Sequence, residues 1–290
     1  MNIVIIGTGY VGLVTGVGLA SLGNNINFLD LDENKIQNLS NKKITFYEPG
    51  LEEYFNDDET FSRMFFSSDY ASIEWQNIDI VFVCVQTPNN LETNSVDTNF
   101  LESAIKEINN VNNDDLVITI KSTIPPYEIE KVCEKVGMDS SKLTFNPEFL
   151  REGTAVEDFF KPDRIVLGGT NNEKLNKLKE LYTDFDCEII TTDSISSQLI
   201  KYLANTYLPL RLSFVNEATR LIDYSGGNLD DVLKGVGLDN RIGQHYFRPS
   251  PSWGGSCFPK DLVEVNNFYD KDKLNLPLIS NIINSNDIHA

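Results

Sequence analysis

At 290 residues the chain exceeds the usual span of one domain, roughly 100 to 200 residues, so two structural units around a large buried core are expected. Its hydrophobic (41%) and charged (23%) fractions are ordinary for a globular protein; no apolar run reaches the ~18 residues of a membrane span, and no basic region precedes the first apolar segment as in a signal peptide, so a cytoplasmic location is expected. A formal charge of −19, from 43 acidic and 24 basic residues, disfavours any sequence-independent grip on nucleic acid or on a membrane surface.

The opening residues pass from a β-branched run, Ile3 to Ile6, through a helical pattern to a second run, Ile26 to Leu29, which is a βαβ unit. Further strands are predicted at Ile80 to Val85, Leu116 to Ile120, Leu143 to Phe145, Ile165 to Leu167 and Glu188 to Ile190. Helical patterns separate most of them, so the economical reading is α/β, a doubly wound and mostly parallel sheet covered on both faces. From Ser194 to Tyr224 the pattern becomes one long helix, with Ile195, Leu199, Tyr202, Leu203, Tyr207, Leu210, Phe214 and Leu221 recurring at helical spacing. At ~1.5 Å per residue it is too long for one small domain, and is expected to bridge units or subunits. Pro209 removes one backbone donor inside it, and Gly226-Gly227 ends it. Helical segments at Asp230 to Val236, Asp261 to Tyr269 and Leu278 to Asn286 complete the chain. The division drawn is 1–193 and 194–290, the second part all-α.

Gly7, Gly9 and Gly12 form GTGYVG directly after the first strand, where glycines permit a tight turn, close approach of a pyrophosphate and close helix packing. Asp30 at the end of the second strand would accept hydrogen bonds from an adenosine ribose and repel a 2′-phosphate, which favours NAD over NADP. A glycine-rich turn needed only for folding is the competing reading. Lys201 and Asn205, four apart in "LIKYLANTY", project alike; they form either a solvated face or, given their apolar flanks, a buried cation meeting an anion. "FNPEFLREGTAVEDF" brings Glu148, Arg151 and Glu152 to the carboxyl edge of the sheet, where ligands bind, although an acid answering a helix dipole looks the same. In "IKSTIPP", Thr123 can hold a water or cap a turn.

Four cysteines show neither a CxxC pair nor metal-ligand spacing, and no metal is expected. Cys84, Cys133 and Cys187 sit in apolar settings. Cys257 differs: "WGGSCFPKD" places it after two glycines and before Lys260-Asp261, as a positioned nucleophile would stand. With only His245 and His289 available, acid-base work falls to carboxylates or lysine.

GTGYVG, "KSTIPP", "NPEFLREGTAVEDFFKPDRIVLGG", "KYLANTYLPLRLSFVNE", "DNRIG" and "GGSCFPKD" occur in one order along nearly the whole chain. Together they resemble the nucleotide-sugar 6-dehydrogenases of the UDP-glucose/GDP-mannose dehydrogenase family, most nearly the UDP-glucose branch. The resemblance implies an N-terminal Rossmann-like sheet domain followed by a helical central domain that dimerises through its long helix. It implies oxidation of the sugar C6 hydroxyl of a UDP-sugar to a carboxylate by two NAD⁺, with Cys257 carrying a thiohemiacetal and then a thioester. By the same resemblance Lys201 stabilises oxyanions, Asp261 manages a proton, Glu152 is the base for thioester hydrolysis, Thr123 holds the water and Asn205 orients the sugar. Glu148, Phe149, Leu150, Tyr246, Ser250 and Gly254 match substrate-contacting positions, and Arg241 an arginine reaching the neighbouring subunit's substrate. Gly7, Gly9, Tyr10, Val11, Gly12, Asp30, Lys35, Thr87, Thr123, Glu152 and Lys260 fall on the cofactor side.

The chain departs from the family's pattern in three places. A third, UDP-binding domain is expected after the long helix, whereas the sequence stops at "NSNDIHA", so weakened UDP-sugar binding is expected with NAD⁺ binding retained. Pro209 stands where a helix former is expected, and Gln86 where a smaller residue is. Three other readings compete: a GDP-mannose or other nucleotide-sugar 6-dehydrogenase, a single-step hydroxyacid dehydrogenase, which would not need Cys257, and a non-catalytic NAD-binding paralogue.

Overall fold

The computed structural model describes residues 1–90, 95–267 and 274–290. The chain folds as two compact units: residues 1–88 with 97–201, and residues 89–96 with 202–290.

Eight strands form the sheet of the first unit: β1 (Asn2–Ile6), β2 (Asn25–Leu29), β3 (Met64–Ser67), β4 (Ile80–Val83), β7 (Val117–Ile120), β8 (Leu143–Phe145), β9 (Arg164–Gly169) and β10 (Glu188–Thr192). The ribbon strands β5 (Asn89–Asn90) and β6 (Ser95–Val96) fall to the second unit. The sheet order is β10-β9-β8-β7-β4-β1-β2-β3, and every pair is parallel except β8 with β9. Because side chains alternate across a strand, each central strand feeds two cores. Ile3, Ile5, Phe28 and Phe82 pack with the first helix (Tyr10–Ser21) on one face; Val4, Ile6, Val81, Val83 and Ile118 pack on the other. Both faces are covered, so strands such as "IVFV" read as continuous apolar runs.

The sheet extends the expectation at one edge. β3 is not among the strands predicted from the sequence; its Phe66 stacks on Phe28 with ring centroids 5.2 Å apart. Strand β1 has β4 on one side and β2 on the other, and this reversal of winding opens a crevice at the carboxyl ends of these strands.

In the second unit the long helix, Ser194–Ser225, continues from the first unit with Pro209 inside it. It stops where Gly226 adopts φ +71°, with the Gly227 N–H donating to the Ile222 carbonyl, a left-handed cap that glycine enters without strain. Helices at Leu229–Gly237, Phe258–Asn267, Pro277–Ser280 and Ile282–His289 follow. The expected helix from Asp261 to Tyr269 starts three residues earlier, and its end lies outside the described residues; the expected Leu278 to Asn286 segment is two short helices. Trp253, Leu262 and Ile282 form a small core. Several apolar residues read along the long helix instead face solvent: Leu203, Tyr207, Phe214 and Leu221 are each more than half exposed. Among the described residues no helix is long and apolar enough to cross a membrane.

Candidate active site

The crevice of the first unit begins at the glycine turn. Gly7 has φ +95°, and a Cβ there would meet the Cys84 carbonyl oxygen at 2.6 Å; one on Gly12 would meet the Gly7 oxygen at 1.9 Å. Those two glycines are therefore required by packing. Gly9 is not, since a Cβ there meets no protein atom within 4 Å. Gly9 caps the first helix without a side-chain acceptor, and no acid occupies the first turn, so the helix N–H groups and its positive end remain for an anion such as a pyrophosphate. This open approach fits a dinucleotide at Gly7, Gly9, Tyr10, Val11 and Gly12.

Asp30 follows β2. Its Oδ2 accepts from the Thr8 N–H and hydroxyl, each at 2.8 Å, and from Lys35 Nζ at 3.3 Å, while Oδ1 accepts the Asp32 N–H at 3.1 Å and retains capacity for a ribose hydroxyl. Burial pushes its carboxyl up, but the Thr8 and Asp32 N–H bonds, the Thr8 hydroxyl and the Lys35 charge outweigh it and hold the pKa below the usual range. At the ends of β4 and β7, the Thr87 hydroxyl donates to the Thr123 carbonyl at 2.8 Å, bringing these two residues together.

The loop after β8 carries a buried ion pair. Lys201 Nζ donates to Glu148 Oε1 and to the Glu148 carbonyl, each at 2.7 Å, and Leu150 N–H donates to Glu148 Oε2 at 2.7 Å. Phe149 lies beneath two cations, with the Arg164 guanidinium 3.6 Å and Lys201 Nζ 5.4 Å from its ring centroid. Of the two sequence alternatives for Lys201, the solvated face is therefore wrong. Glu152 is exposed in the following turn, and Arg151 pairs with Asp158.

Sequence reasoning missed Lys121, buried beside this loop. Its Nζ donates to Asn146 Oδ1 at 2.9 Å, which also accepts from the Tyr182 hydroxyl. Burial, partly offset by Cys84 and Glu148, lowers its pKa. Burial likewise pushes the Cys84 thiol up to about 12, the mark of an inert packing cysteine.

In the second unit Cys257 is exposed at the start of helix Phe258–Asn267, and its carbonyl accepts the Asp261 N–H at 2.9 Å. Gly255, two residues earlier, has φ +91°, so that turn needs glycine. A helix N-terminus stabilises negative charge placed there, such as a thiolate. One turn on, Asp261 is 1% exposed; its Oδ2 accepts from Asn205 Nδ2 at 2.6 Å and its Oδ1 lies 2.8 Å from Lys260 Nζ. Lys260 also reaches Glu264 Oε1 at 3.2 Å, and the other Glu264 oxygen accepts the Tyr202 hydroxyl. Burial raises the Glu264 carboxyl to about 7, the Asp261 charge adding to this against Lys260 and Tyr202. Glu264 was not anticipated, although its spacing of four from Lys260 was a legible signal.

The preceding loop is anchored by the long helix. Asn216 accepts the Ser250 N–H at 2.9 Å, Ser213 accepts the Trp253 indole N–H at 2.8 Å, and Arg211 donates to the Gly243 carbonyl. Tyr246 is held at φ +54°, a strained value for a tyrosine, and is 38% exposed. Gly254 is exposed with open space where a side chain would stand. Arg241 is not gathered with the other candidates: it is exposed and forms a two-point pair with Asp239 in its own loop. Among the described residues no cluster of His, Cys, Asp and Glu is arranged to hold a metal ion.

Residues 1–186 match the NAD binding domain model of the UDP-glucose/GDP-mannose dehydrogenase family, and residues 195–288 match its central domain model. A UDP-glucose 6-dehydrogenase of Rickettsia felis is 40% identical over 99% of this chain and 64% of its own length; one from Bacillus subtilis is 35% identical over 99% of this chain and 63% of its own. The solved UDP-glucose dehydrogenase of Pyrobaculum islandicum superposes with a TM-score of 0.90 at 33% identity, over 99% of this chain and 68% of that one. The chain thus spans about two thirds of the length of the relatives it matches. With an NAD-binding unit and a central helical unit in the family's order, the chain belongs to the UDP-glucose/GDP-mannose dehydrogenase family.

Proposed function

We propose that the chain supplies the cofactor-binding and catalytic parts of a UDP-glucose 6-dehydrogenase, which oxidises the C6 hydroxyl of UDP-glucose to the carboxylate of UDP-glucuronate with two NAD⁺ and one water. The observation that carries this reading is the exposed Cys257 one helical turn before the buried Asp261–Asn205 pair, a nucleophile beside a group able to take a proton. A single-step dehydrogenase needs no such cysteine.

When bound, NAD⁺ supplies the hydride acceptor for both oxidations. Asp261, fixed by Asn205, takes the proton of the C6 hydroxyl as its hydride leaves, giving the aldehyde. Cys257 Sγ adds to the aldehyde carbon, and the new oxyanion is met by the Lys201 ammonium, held in place by Glu148. Loss of the second hydride from this thiohemiacetal leaves a thioester on Cys257. Glu152 takes a proton from a water held by Thr123; the water oxygen bonds to the acyl carbon, the C–S bond breaks, and the cysteine is regenerated. Capture on sulfur keeps the aldehyde from leaving between oxidations. Phe149, Leu150, Ser250, Tyr246 and Gly254 are assigned to the sugar nucleotide, and Lys35, Thr87 and Lys260 to the cofactor side.

Within this reading residues 1–193 act as the cofactor domain and 194–290 as the helical domain, and the protein works in the cytoplasm. The exposed stripe Leu203, Tyr207, Phe214 and Leu221, an apolar face of the kind monomers avoid, supports a homodimer through the long helix, with the exposed Arg241 serving the neighbouring subunit's substrate.

The deciding measurement is NADH formed per UDP-glucose consumed by the 290-residue chain and by Cys257→Ala. Two NADH per sugar in the unaltered chain, with a covalent sugar adduct by mass spectrometry that the variant lacks, supports the reading; one NADH per sugar, or a variant completing both oxidations, overturns it.

A further inference from the structure

Glu48 lies in "FYEPG", a stretch that reads only as a turn before the short helix Leu51–Asn56, yet the residue is 4% exposed. An ionised carboxylate taken out of water is costly unless its oxygens are filled by donors. Here the donors come from two distant parts of the chain. The Tyr10 hydroxyl (2.5 Å) and the Gly153 N–H (2.9 Å) donate to Oε2, and the Ala155 N–H (2.7 Å) donates to Oε1.

These partners belong to two functional segments. Tyr10 is the first residue of the helix that follows the glycine turn, and Gly153 and Ala155 lie in and just beyond the turn that exposes Glu152. Gly153 holds φ +89°, so the conformation of that turn is specific. The Tyr10 hydroxyl also lies 3.3 Å from the Arg151 carbonyl, while Asp158 holds the Arg151 N–H at 2.8 Å from the other side. Burial first, then Glu48 and more weakly Glu152, push the Tyr10 pKa upward, so its hydroxyl stays protonated and donates. The turn bearing Glu152 is therefore clamped between Asp158 and the Glu48–Tyr10 pair.

We propose that Glu48, acting through the Tyr10 hydroxyl, is a positioning residue that ties the dinucleotide turn to the turn carrying Glu152, so that cofactor occupancy orders Glu152. The catalytic use of that order rests on the role proposed for Glu152 above. Tyr10 stands where a pyrophosphate meets the helix N-terminus, so a ligand there restrains Tyr10, and Tyr10 restrains Arg151, Glu48 and Gly153.

The test is hydrogen–deuterium exchange of peptides covering residues 147–160 on the full chain, with and without saturating NAD⁺, alongside NAD⁺ affinity by calorimetry. In the unaltered chain NAD⁺ slows exchange at 151–155. Tyr10→Phe removes the hydroxyl's bonds to Glu48 and the Arg151 carbonyl but keeps those from Gly153 and Ala155 to Glu48, so exchange without NAD⁺ rises less than in Glu48→Gln, while the NAD⁺-dependent slowing falls about tenfold, as loss of a hydrogen bond to a charged acceptor implies. Glu48→Gln exchanges faster in both states. A Tyr10→Phe chain that keeps the full NAD⁺-dependent slowing, or an unaltered chain that binds NAD⁺ without slowing, overturns the inference. An unaltered chain that binds no NAD⁺ overturns it together with the cofactor reading. Intact coupling in a chain that forms no UDP-glucuronate supports it and counts only against the proposed reaction.

Discussion

The Lys201 ammonium is gripped twice by Glu148, through the side-chain carboxylate and through the backbone carbonyl, each at 2.7 Å. Breaking a buried pair from one side strands the other charge, so Glu148→Gln costs about 3 kcal/mol at pH 7. Burial alone would raise the Glu148 carboxyl, but the Lys201 charge and the Leu150 N–H hold it below its ordinary value. Stability from a lowered carboxyl is present above the unfolded pKa of 4.5 and is lost as pH falls through the folded one. Urea denaturation of both proteins across pH 3 to 8 will therefore show a gap that is full at neutral pH and closes in acid.

Glu264 gives the opposite sign. Its folded pKa of about 7 stands above the ordinary 4.5, with burial as the leading cause. A raised carboxyl contributes stability that is full below the unfolded pKa and is lost as pH rises through the folded one. Between pH 4.5 and 7 the unaltered protein thus loses about 3 kcal/mol from this group, a loss that Glu264→Gln escapes. Urea midpoints measured at pH 5 and pH 8 compare the two slopes, and equal slopes would sink the assignment.

Gly9 and Gly12 separate binding from folding. A methyl at Gly12 collides with the Gly7 carbonyl, so Gly12→Ala lowers the melting temperature. A methyl at Gly9 meets no protein atom, so Gly9→Ala melts normally while NAD⁺ affinity by calorimetry drops at least about tenfold, from crowding where the phosphates approach. Unchanged affinity in Gly9→Ala would return the turn to a purely structural role.

The apolar stripe of the long helix predicts self-association. Replacing Phe214, 59% exposed, by glutamate places a charge in the proposed contact and shifts sedimentation toward the monomer while leaving helicity intact. A native chain that already sediments as a monomer at micromolar concentration would refute the dimer.

Much of the fold is legible because its strands are covered on both faces. β1 and β4 are continuous apolar runs, and GTGYVG marks the first turn by residue type alone. Strand β3 is not, since "MFFS" is four residues at a sheet edge with Phe65 outward, and nothing local separates it from the short helices before it. At the site, Lys201 and Asn205 are readable through their spacing of four, and Asp261 through its place after Cys257 in "GGSCFPKD". Glu48 and Lys121 are not, because their partners lie 107 and 25 residues away, and neither a lone acid before Pro-Gly nor a lysine after a strand reveals a remote acceptor or donor. The long helix is readable in extent but not in facing: its apolar positions outnumber those one core can bury, and periodicity does not say which are left out.

The two-stranded ribbon of β5 and β6 has a consequence for how the chain matures. It is made early, inside the sequence of the first unit, yet it is grouped with residues 202–290, and Asn89 donates its amide to the Lys260 carbonyl. During synthesis this segment waits for a partner more than 170 residues downstream, through a loop closure whose cost rises only logarithmically with length. Any fragment that ends before Lys260 therefore leaves the Asn89 amide without this acceptor.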